Sequence, residues 1–271
     1  MILEKTVELV VDQIVKAHKI IPSKVHNVVV GLGYSGVQLA SFTHGMFLGV
    51  ANTLPDFIFG ETCSKLKSAG KLTEVPLNEL LKWSYNAPSL KKIVGIAALN
   101  AYSQHILAIK NPYKEVKQNL PQLLKVNADT KVTFIGLIGP LIKSFSQKTK
   151  KVSIIENNLE FTQDYKKFNT KTSIDEVKES EIETDVLVCT GTALINDTLE
   201  DILKIYKHNA GKIVVIGPTA GLIPDILFDY GVDLVGGMRF SDTESAIKVL
   251  QQAGGTKIFK QYAEKYLLAR E

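Results

Sequence analysis

A short pattern recurs three times in the second half of this chain and constrains its fold more than any other feature. Apolar runs at residues 132–135, 186–189 and 213–216 each stop at a corner of glycine, threonine or proline, and helical patterns alternate with them. Short apolar runs bounded in this way are typical of parallel strands in an α/β sheet. Ligands of such sheets bind beyond the carboxyl ends of the strands. We therefore expect the three corners to face one ligand site.

The composition is that of an ordinary globular protein. The 271 residues are 45% hydrophobic and 22% charged, which argues against disorder. The net charge of +4 is small and the lysines are scattered, so the basic stripe of a nucleic-acid-binding protein is missing. No apolar run is long enough to span a bilayer, and the first residues lack a signal-peptide pattern. We expect a cytoplasmic protein with neither nucleic-acid nor membrane partners.

The chain divides near residue 112 into two segments of different pattern. Residues 1–112 predict an α+β domain, and residues 113–271 predict an α/β domain with a parallel sheet. The predicted helices are 3–18, 77–85 and 89–107, then 140–147, 196–208, 223–229 and 242–252. The predicted strands are 25–30, one starting at 37, and 47–54, then 132–135, 152–156, 186–190, 213–216 and 234–235. The amphipathic stretch 257–269 predicts a C-terminal helix that packs on the first domain or on a second subunit.

The first corner joins two glycines to an acidic residue at the end of the next strand. Gly136 and Gly139 allow a tight turn into a helix whose first N–H groups attract an anion. Glu156 lies about 20 positions after Gly136, where dinucleotide-binding folds place an acid on the ribose hydroxyls. The third glycine of that fingerprint is absent. A plain turn with a solvated Glu156 is slightly favoured over a dinucleotide, although Gly139 is expected to contact some ligand.

The other two corners are rich in hydroxyl and amide groups. The candidate ligand-binding residues there are Thr190, Gly191, Thr192, Asn196 and Thr198 in the second corner and Gly217, Pro218 and Thr219 in the third. Asn196 or Thr198 is expected to cap the following helix, since such side chains satisfy its first N–H groups. One cap does not explain so many polar groups at one corner. The third corner reads equally well as a simple Pro-Gly turn.

The first segment contributes two candidate asparagines. Asn100 follows the small-residue run 95–99, and Asn52 ends a predicted strand. Either side chain could project into a cleft between the two domains and contact a ligand. The competing interpretation of the small residues is close packing of a helix against another element.

The sequence lacks the motifs of several common catalytic and metal-binding sites. Only two cysteines occur, Cys63 and Cys189, and no CxxC pair exists, so a zinc-ribbon or thioredoxin-type site is excluded. The five histidines show no HxxxH spacing, although His44 and His105 could meet in the folded chain. The nucleophile elbow GxSxG and the P-loop Gly-Lys-Ser/Thr are both absent.

The motifs in their order resemble one family. They are GLG at 31–33, GVANT at 49–53, GIAALNA at 95–101, GLIGPL at 136–141, Glu156, TGT at 190–192, INDTLE at 195–200 and GPT at 217–219. The family is the putative heavy-metal chelation family, a domain of unknown function. Its members have an enolase-N-terminal-like domain followed by a Rossmann-like domain. The resemblance implies a ligand site at the domain junction and a role in chelating a metal or handling a metal chelate. Because the motif positions hold no Cys or His, direct metal ligation would have to rest on Glu156, Asp197, amide oxygens or a histidine brought in by folding.

Three hypotheses follow. The first is a protein that binds a small molecule or metal chelate, with its site in the interdomain cleft. The second is an enzyme that uses nicotinamide dinucleotide or S-adenosylmethionine, motivated by the spacing from Gly136 to Glu156. The third is a non-catalytic assembly module whose contact is the apolar C-terminal helix. A homodimer is expected only because two-fold assemblies are common.

Overall fold

Two β-sheets and the helices packed on them make up the part of the chain that the structure describes. This structure is a computed structural model, and it describes residues 1–14, 24–58, 65–158, 165 and 167–270. The strands are β1 Lys24–Val29, β2 Tyr34–Ser41, β3 Gly45–Asn52, β4 Lys114–Glu115, β5 Val132–Ile135, β6 Val152–Ile155, β7 Asn169–Lys171, β8 Thr184–Thr190, β9 Ala210–Ile216, β10 Leu234–Phe240 and β11 Ala263–Ala269. The α-helices are α1 Ile2–Glu8, α2 Leu77–Trp83, α3 Leu90–Ile109, α4 Leu120–Leu123, α5 Gly139–Ser146, α6 Glu179–Ile182, α7 Leu199–Tyr206, α8 Asp225–Asp229, α9 Thr243–Gln251 and α10 Thr256–Phe259.

The first segment is built around one buried helix. Strands β1, β2 and β3 form an antiparallel sheet in that order, and α3 packs on β2 and β3. The hydroxyl of Ser89 accepts a hydrogen bond from the Lys92 N–H at 3.3 Å, which caps the start of α3. A helix that is apolar on every side must be buried on every side, and α3 is buried along nearly its whole length.

Small residues let neighbouring backbones approach α3 closely. A Cβ built on Gly49 of β3 would lie 2.1 Å from the Ala101 nitrogen. A Cβ on Gly95 would lie 2.2 Å from the Ser84 nitrogen, just after α2. The packing interpretation of the small-residue run therefore holds at these two contacts.

The second sheet has eight strands, in the order β4-β11-β10-β9-β8-β5-β6-β7. The six strands from β10 to β7 are parallel. Numbered along the chain, these six run 3-2-1-4-5-6 across the sheet, which is the order of doubly wound nucleotide-binding folds. The order reverses between β5 and β8, where two neighbouring loops leave in opposite directions and open a crevice. The expected α/β class, with an antiparallel first sheet and a mostly parallel second one, is confirmed.

The predicted C-terminal helix is wrong. Only residues 256–259 are α-helical, and β11 pairs antiparallel with β10 from Ala263↔Phe240 to Ala269↔Leu234. Tyr266, Leu267 and Leu268 are buried by this pairing. A short apolar run has no periodicity that separates a strand from a helix, and here the open edge of β10 decides the outcome.

The other predicted elements are present with shifted bounds. The predicted helix 3–18 is α-helical only at Ile2–Glu8, continues as a π-helix at Leu9–Ile14, and at 15–18 falls outside the described residues. The predicted helix 196–208 begins later, at Leu199, and the strand predicted at 234–235 extends to Phe240. Strands β4 and β7 were not predicted, because both are very short and polar.

The two segments pack against each other over a wide area. Residues of α3 share one apolar cluster with Leu187, Val215 and Leu222 of the second segment. A second cluster joins Leu48 of β3 to Leu250 of α9. None of the helices that the structure describes is long and apolar enough to cross a bilayer.

Candidate functional site

The crevice between β5 and β8 begins at Gly136 and Thr190. Gly136 has a φ of 88°, which disfavours residues with a side chain. A Cβ at this position would also lie 2.5 Å from Cγ2 of Thr190. The ends of the two strands therefore touch, and glycine is required here for both space and backbone conformation. Both residues are half-buried, so the crevice edge reaches solvent.

The Glu156 carboxylate ties the first corner to the end of β6. Its Oε2 accepts a hydrogen bond from the Leu137 N–H at 3.0 Å, and its Oε1 accepts one from the Asn158 N–H at 3.0 Å. The acid predicted for ribose binding thus already stabilises the turn after Gly136. A carboxylate has about four acceptor positions, so these two bonds leave room for a ligand donor.

Gly139 is the first residue of α5, which starts without a side-chain cap. The first N–H groups of a helix favour an anion, but Pro140 has no N–H and the Leu141 and Ile142 N–H groups donate to the Ile138 carbonyl, so the Gly139 N–H is the donor at this helix start. A Cβ on Gly139 would lie 2.6 Å from the hydroxyl of Tyr165, so this tyrosine closes over the helix start. Tyr165 was not identified from the sequence, because no local pattern connects it to a corner 26 residues earlier in the chain.

Thr190 and Thr192 form a small hydroxyl pair at the end of β8. The Thr190 hydroxyl accepts a hydrogen bond from the Thr192 N–H at 3.3 Å and donates one to the Thr192 hydroxyl at 3.2 Å. Both side chains are half-buried. Between them Gly191 is buried, and a Cβ there would lie 2.7 Å from the Ala220 nitrogen. The second and third corners therefore pack directly against each other.

The third corner joins the two segments through hydrogen bonds. Its Gly217 has a φ of 133°, so it also has a backbone conformation that disfavours a side chain. The buried Asn100 amide donates to the Val50 carbonyl at 2.9 Å and the Thr219 carbonyl at 3.0 Å, with a longer contact of 3.4 Å to Pro218.

Asn52 meets this corner through its backbone, because its N–H donates to the Thr219 hydroxyl at 3.0 Å. Thr219 and Asn100 are both buried, with 2% exposure each. The Asn100 Nδ2 and the Thr219 hydroxyl bind protein atoms, whereas the buried Asn100 Oδ1 has no hydrogen-bond partner among the described residues.

Asn196, Asp197 and Thr198 lie in the exposed loop before α7. Thr198 precedes α7, yet its side chain does not cap the helix, so the expected capping role is wrong for Thr198. Asp197 forms an ion pair with Lys92, whose side chain is fully buried in α3. Lys92 could not be identified from the sequence, because a lysine in a helical pattern ordinarily faces solvent.

The side chains at the three corners do not form a metal-binding site. Among residues 1–14, 24–58, 65–158, 165 and 167–270, no three His, Cys, Asp or Glu side chains come together to hold a metal ion. Glu156 binds backbone N–H groups and Asp197 binds Lys92. Burial raises the pKa of the Cys189 thiol to about 12, so this thiol is protonated at neutral pH. Cys63 and His18 lie outside the described residues.

His44 and His105 do meet, with ring centroids 5.8 Å apart. His105 is buried against Phe47 and Tyr102, whereas His44 is exposed on the turn between β2 and β3. Burial, reinforced by His44, lowers the pKa of His105 to about 4. The pair lies on the first segment and is not one of the three corners.

Two cavities of the described residues are lined by neither Gly136, Thr190 nor Thr219. One of about 150 Å³ lies between the segments, lined by Met1–Leu3 on one side and by the loop and helix from Ala193 to Lys204 on the other. Asp197 is the one predicted site residue in its lining. The other, of about 710 Å³, lies beside β1 and is lined partly by His26. The smaller cavity is below the 300–1,000 Å³ that usually holds a drug-sized ligand.

Two family profiles match this chain. One covers residues 119–269 and the other residues 16–103, and both are described as putative heavy-metal chelation. An uncharacterized protein of Methanocaldococcus jannaschii is 25% identical over 229 residues, which are 83% of this chain and 82% of that protein.

Two crystal structures of proteins of unknown function share the fold. The protein from Pyrococcus horikoshii has a TM-score of 0.76 and 25% identity, with 99% of this chain and 98% of that chain covered. The protein from Desulfitobacterium hafniense has a TM-score of 0.72 and 20% identity, with 98% and 99% covered.

Proposed function

This chain belongs to the putative heavy-metal chelation family, and we propose that it binds a small polar or anionic molecule, such as a metal chelate, at the crevice between β5 and β8. The observation that supports this most is the contact of Gly136 with Thr190 at the reversal of strand order, beside the uncapped start of α5. A ligand there would meet Gly136, Gly139, Thr190 and Thr192. Asn52, Asn100 and Thr219 would support the loops from behind.

A chelate suits these donors better than a bare ion. The crevice offers the Gly139 N–H and the neutral hydroxyls of Thr190 and Thr192, which bind anionic or polar atoms of a ligand. The N–H groups of Gly136, Leu137 and Thr192 already bond within the protein. A bare heavy-metal ion prefers thiolate or imidazole ligands. The metal, where one is bound, would therefore bring its own ligands, and the protein would bind the outer atoms of the complex.

The test is native mass spectrometry of the purified protein together with elemental analysis. We expect a small-molecule mass, with or without a metal at near-stoichiometric level, that is lost in Thr192→Val. The control Thr43→Val changes an exposed threonine on the turn between β2 and β3, at the end of β3 opposite Asn52, and should keep the mass. A protein that keeps its ligand in Thr192→Val would refute this site, and a bare protein from several expression conditions would count against the proposal.

A nucleotide-dependent enzyme is the second candidate, because the six parallel strands have the Rossmann-like order and Glu156 follows the second of them. Such a protein should be stabilised by nicotinamide dinucleotide or S-adenosylmethionine. A cofactor at about 100 times its dissociation constant adds roughly 2.7 kcal/mol to the free energy of unfolding. The absence of a thermal shift with either cofactor would exclude this candidate. The assembly module loses its motivation, since the segment meant for contact is strand β11 inside the sheet.

A further inference from the structure

The most unusual charged group of the described residues is Lys92. Its side chain is 0% exposed, and its ammonium pairs with the Asp197 carboxylate, which is 44% exposed. Lysine is almost never fully buried without a partner, because its charge loses hydration. Asp197 therefore supplies the counter-charge, and it does so from the other segment of the molecule.

Asp197 is held in an uncommon backbone conformation. Its φ is 59°, in the left-handed region that aspartate tolerates better than most residues. The loop around it is closed by hydrogen bonds from the Asn196 N–H to the Thr192 carbonyl at 3.4 Å and from the Thr198 N–H to the Ala193 carbonyl at 3.1 Å. A shift of Asp197 would therefore be transmitted to Thr192.

We propose that Lys92 is a positioning residue that fixes the loop 191–198 from outside the second segment. By binding Asp197, its ammonium holds the loop so that the Thr190 and Thr192 hydroxyls keep their place at the crevice. The role of the two hydroxyls in ligand binding rests on the proposed function. The effect of Lys92 on the loop can be measured without any ligand.

Substitution of Lys92 and substitution of Asp197 leave different charged groups without a partner. Lys92→Met removes the charge and fills the same buried channel, and the half-exposed Asp197 stays hydrated. Asp197→Gly suits the positive φ but leaves a buried ammonium without its partner. The glycine variant should therefore lower the melting temperature more than the methionine variant, and Lys92→Met/Asp197→Gly should recover part of that loss.

Hydrogen exchange of the full chain, followed by mass spectrometry, tests the loop itself. We expect the amides of residues 190–198 to exchange on the order of tenfold faster in Asp197→Gly than in the wild type. Sodium formate should slow this exchange again, because a small carboxylate fits the space left in front of Lys92. Sodium chloride of equal ionic strength should not slow the exchange. Formate should not change the exchange of the double variant Lys92→Met/Asp197→Gly.

Equal loop exchange in the wild type and Lys92→Met/Asp197→Gly would overturn the proposal, as would equal rescue of the double variant by formate. Asp197→Asn, which keeps the side-chain size, replaces the glycine variant should that one fail to fold, and its loop should also exchange faster than the wild type. A protein whose loop responds as expected but which binds no ligand would contradict the proposed function and leave the role of Lys92 intact.

Discussion

Two regions share one sequence signature but have different surroundings: the crevice between β5 and β8, and the third corner, residues 217–219 at the end of β9. We call this corner the seam, because it joins the second segment to β3 and α3. Both are corners of glycine and threonine at the carboxyl end of a parallel strand. At the crevice, Thr190 and Thr192 bond to each other and stay half-exposed. At the seam, Thr219 is buried beneath β3 and α3 and bonds to Asn52. The same residue types thus serve an accessible edge in one place and a structural joint in the other, according to what packs over them.

The largest expected effect is in Gly49→Ala, where β3 packs on α3 beneath the seam. Its new methyl group would lie 2.1 Å from the Ala101 nitrogen and 2.2 Å from the Ala97 carbonyl oxygen, and backbone atoms of a buried helix cannot move aside cheaply. We expect the free energy of unfolding to fall by about 3 kcal/mol or more, measured by urea denaturation. The control Gly255→Ala meets no atom within 4 Å and should change it little. Equal stability of the two variants would mean that α3 does not pack as described.

The next effect concerns His105, on the helix that forms the seam. Its pKa falls from 6.5 to about 4 on folding, because of burial and the nearby His44. Between these values the unfolded chain binds more protons, so stability is lost as the pH falls from about 6.5 to about 4. This group alone should contribute roughly 3 kcal/mol over that window. His105→Phe should flatten the slope of unfolding free energy against pH, and an unchanged slope would refute the assignment.

A smaller loss is expected from Asn100→Leu. The substitution keeps the size but removes the amide that donates to the Val50 and Thr219 carbonyls. Two buried acceptors would lose their donor, at a cost of about 2 kcal/mol in unfolding free energy. The seam interpretation predicts this cost without any ligand present. If Asn100→Leu kept the wild-type stability but bound the ligand more weakly, Asn100 would instead be a residue that contacts the ligand.

The smallest effect on stability is expected at the crevice, in Thr192→Val. Among the described residues the half-exposed hydroxyl bonds to Thr190 alone, so the unfolding free energy should change by at most about 0.5 kcal/mol. Ligand binding, followed by isothermal titration with the molecule identified by mass spectrometry, should weaken about tenfold or more, as the loss of one good hydrogen bond implies. A large loss of stability would show that this corner is a structural joint like the seam.

The three corners could be predicted because their signal is local. An apolar run followed by glycine and a helical pattern needs only neighbouring residues, and those runs became β5, β8 and β9. The roles of the polar residues at the corners could not be predicted in the same way. Asn100 and Thr219 are 119 positions apart, and nothing near either residue indicates that one covers the other.

By itself, the sequence determined the class of fold, the parallel strands and the edge of the sheet at which polar groups collect. Periodicity and turn chemistry act over a few residues and need no knowledge of distant partners. The tertiary structure alone decided which corner stays open, that residues 263–269 form a strand, and that a buried lysine fixes the loop after β8. Burial, pairing at a sheet edge and the partner of a charge depend on segments that are far apart in the chain and meet only in the folded protein.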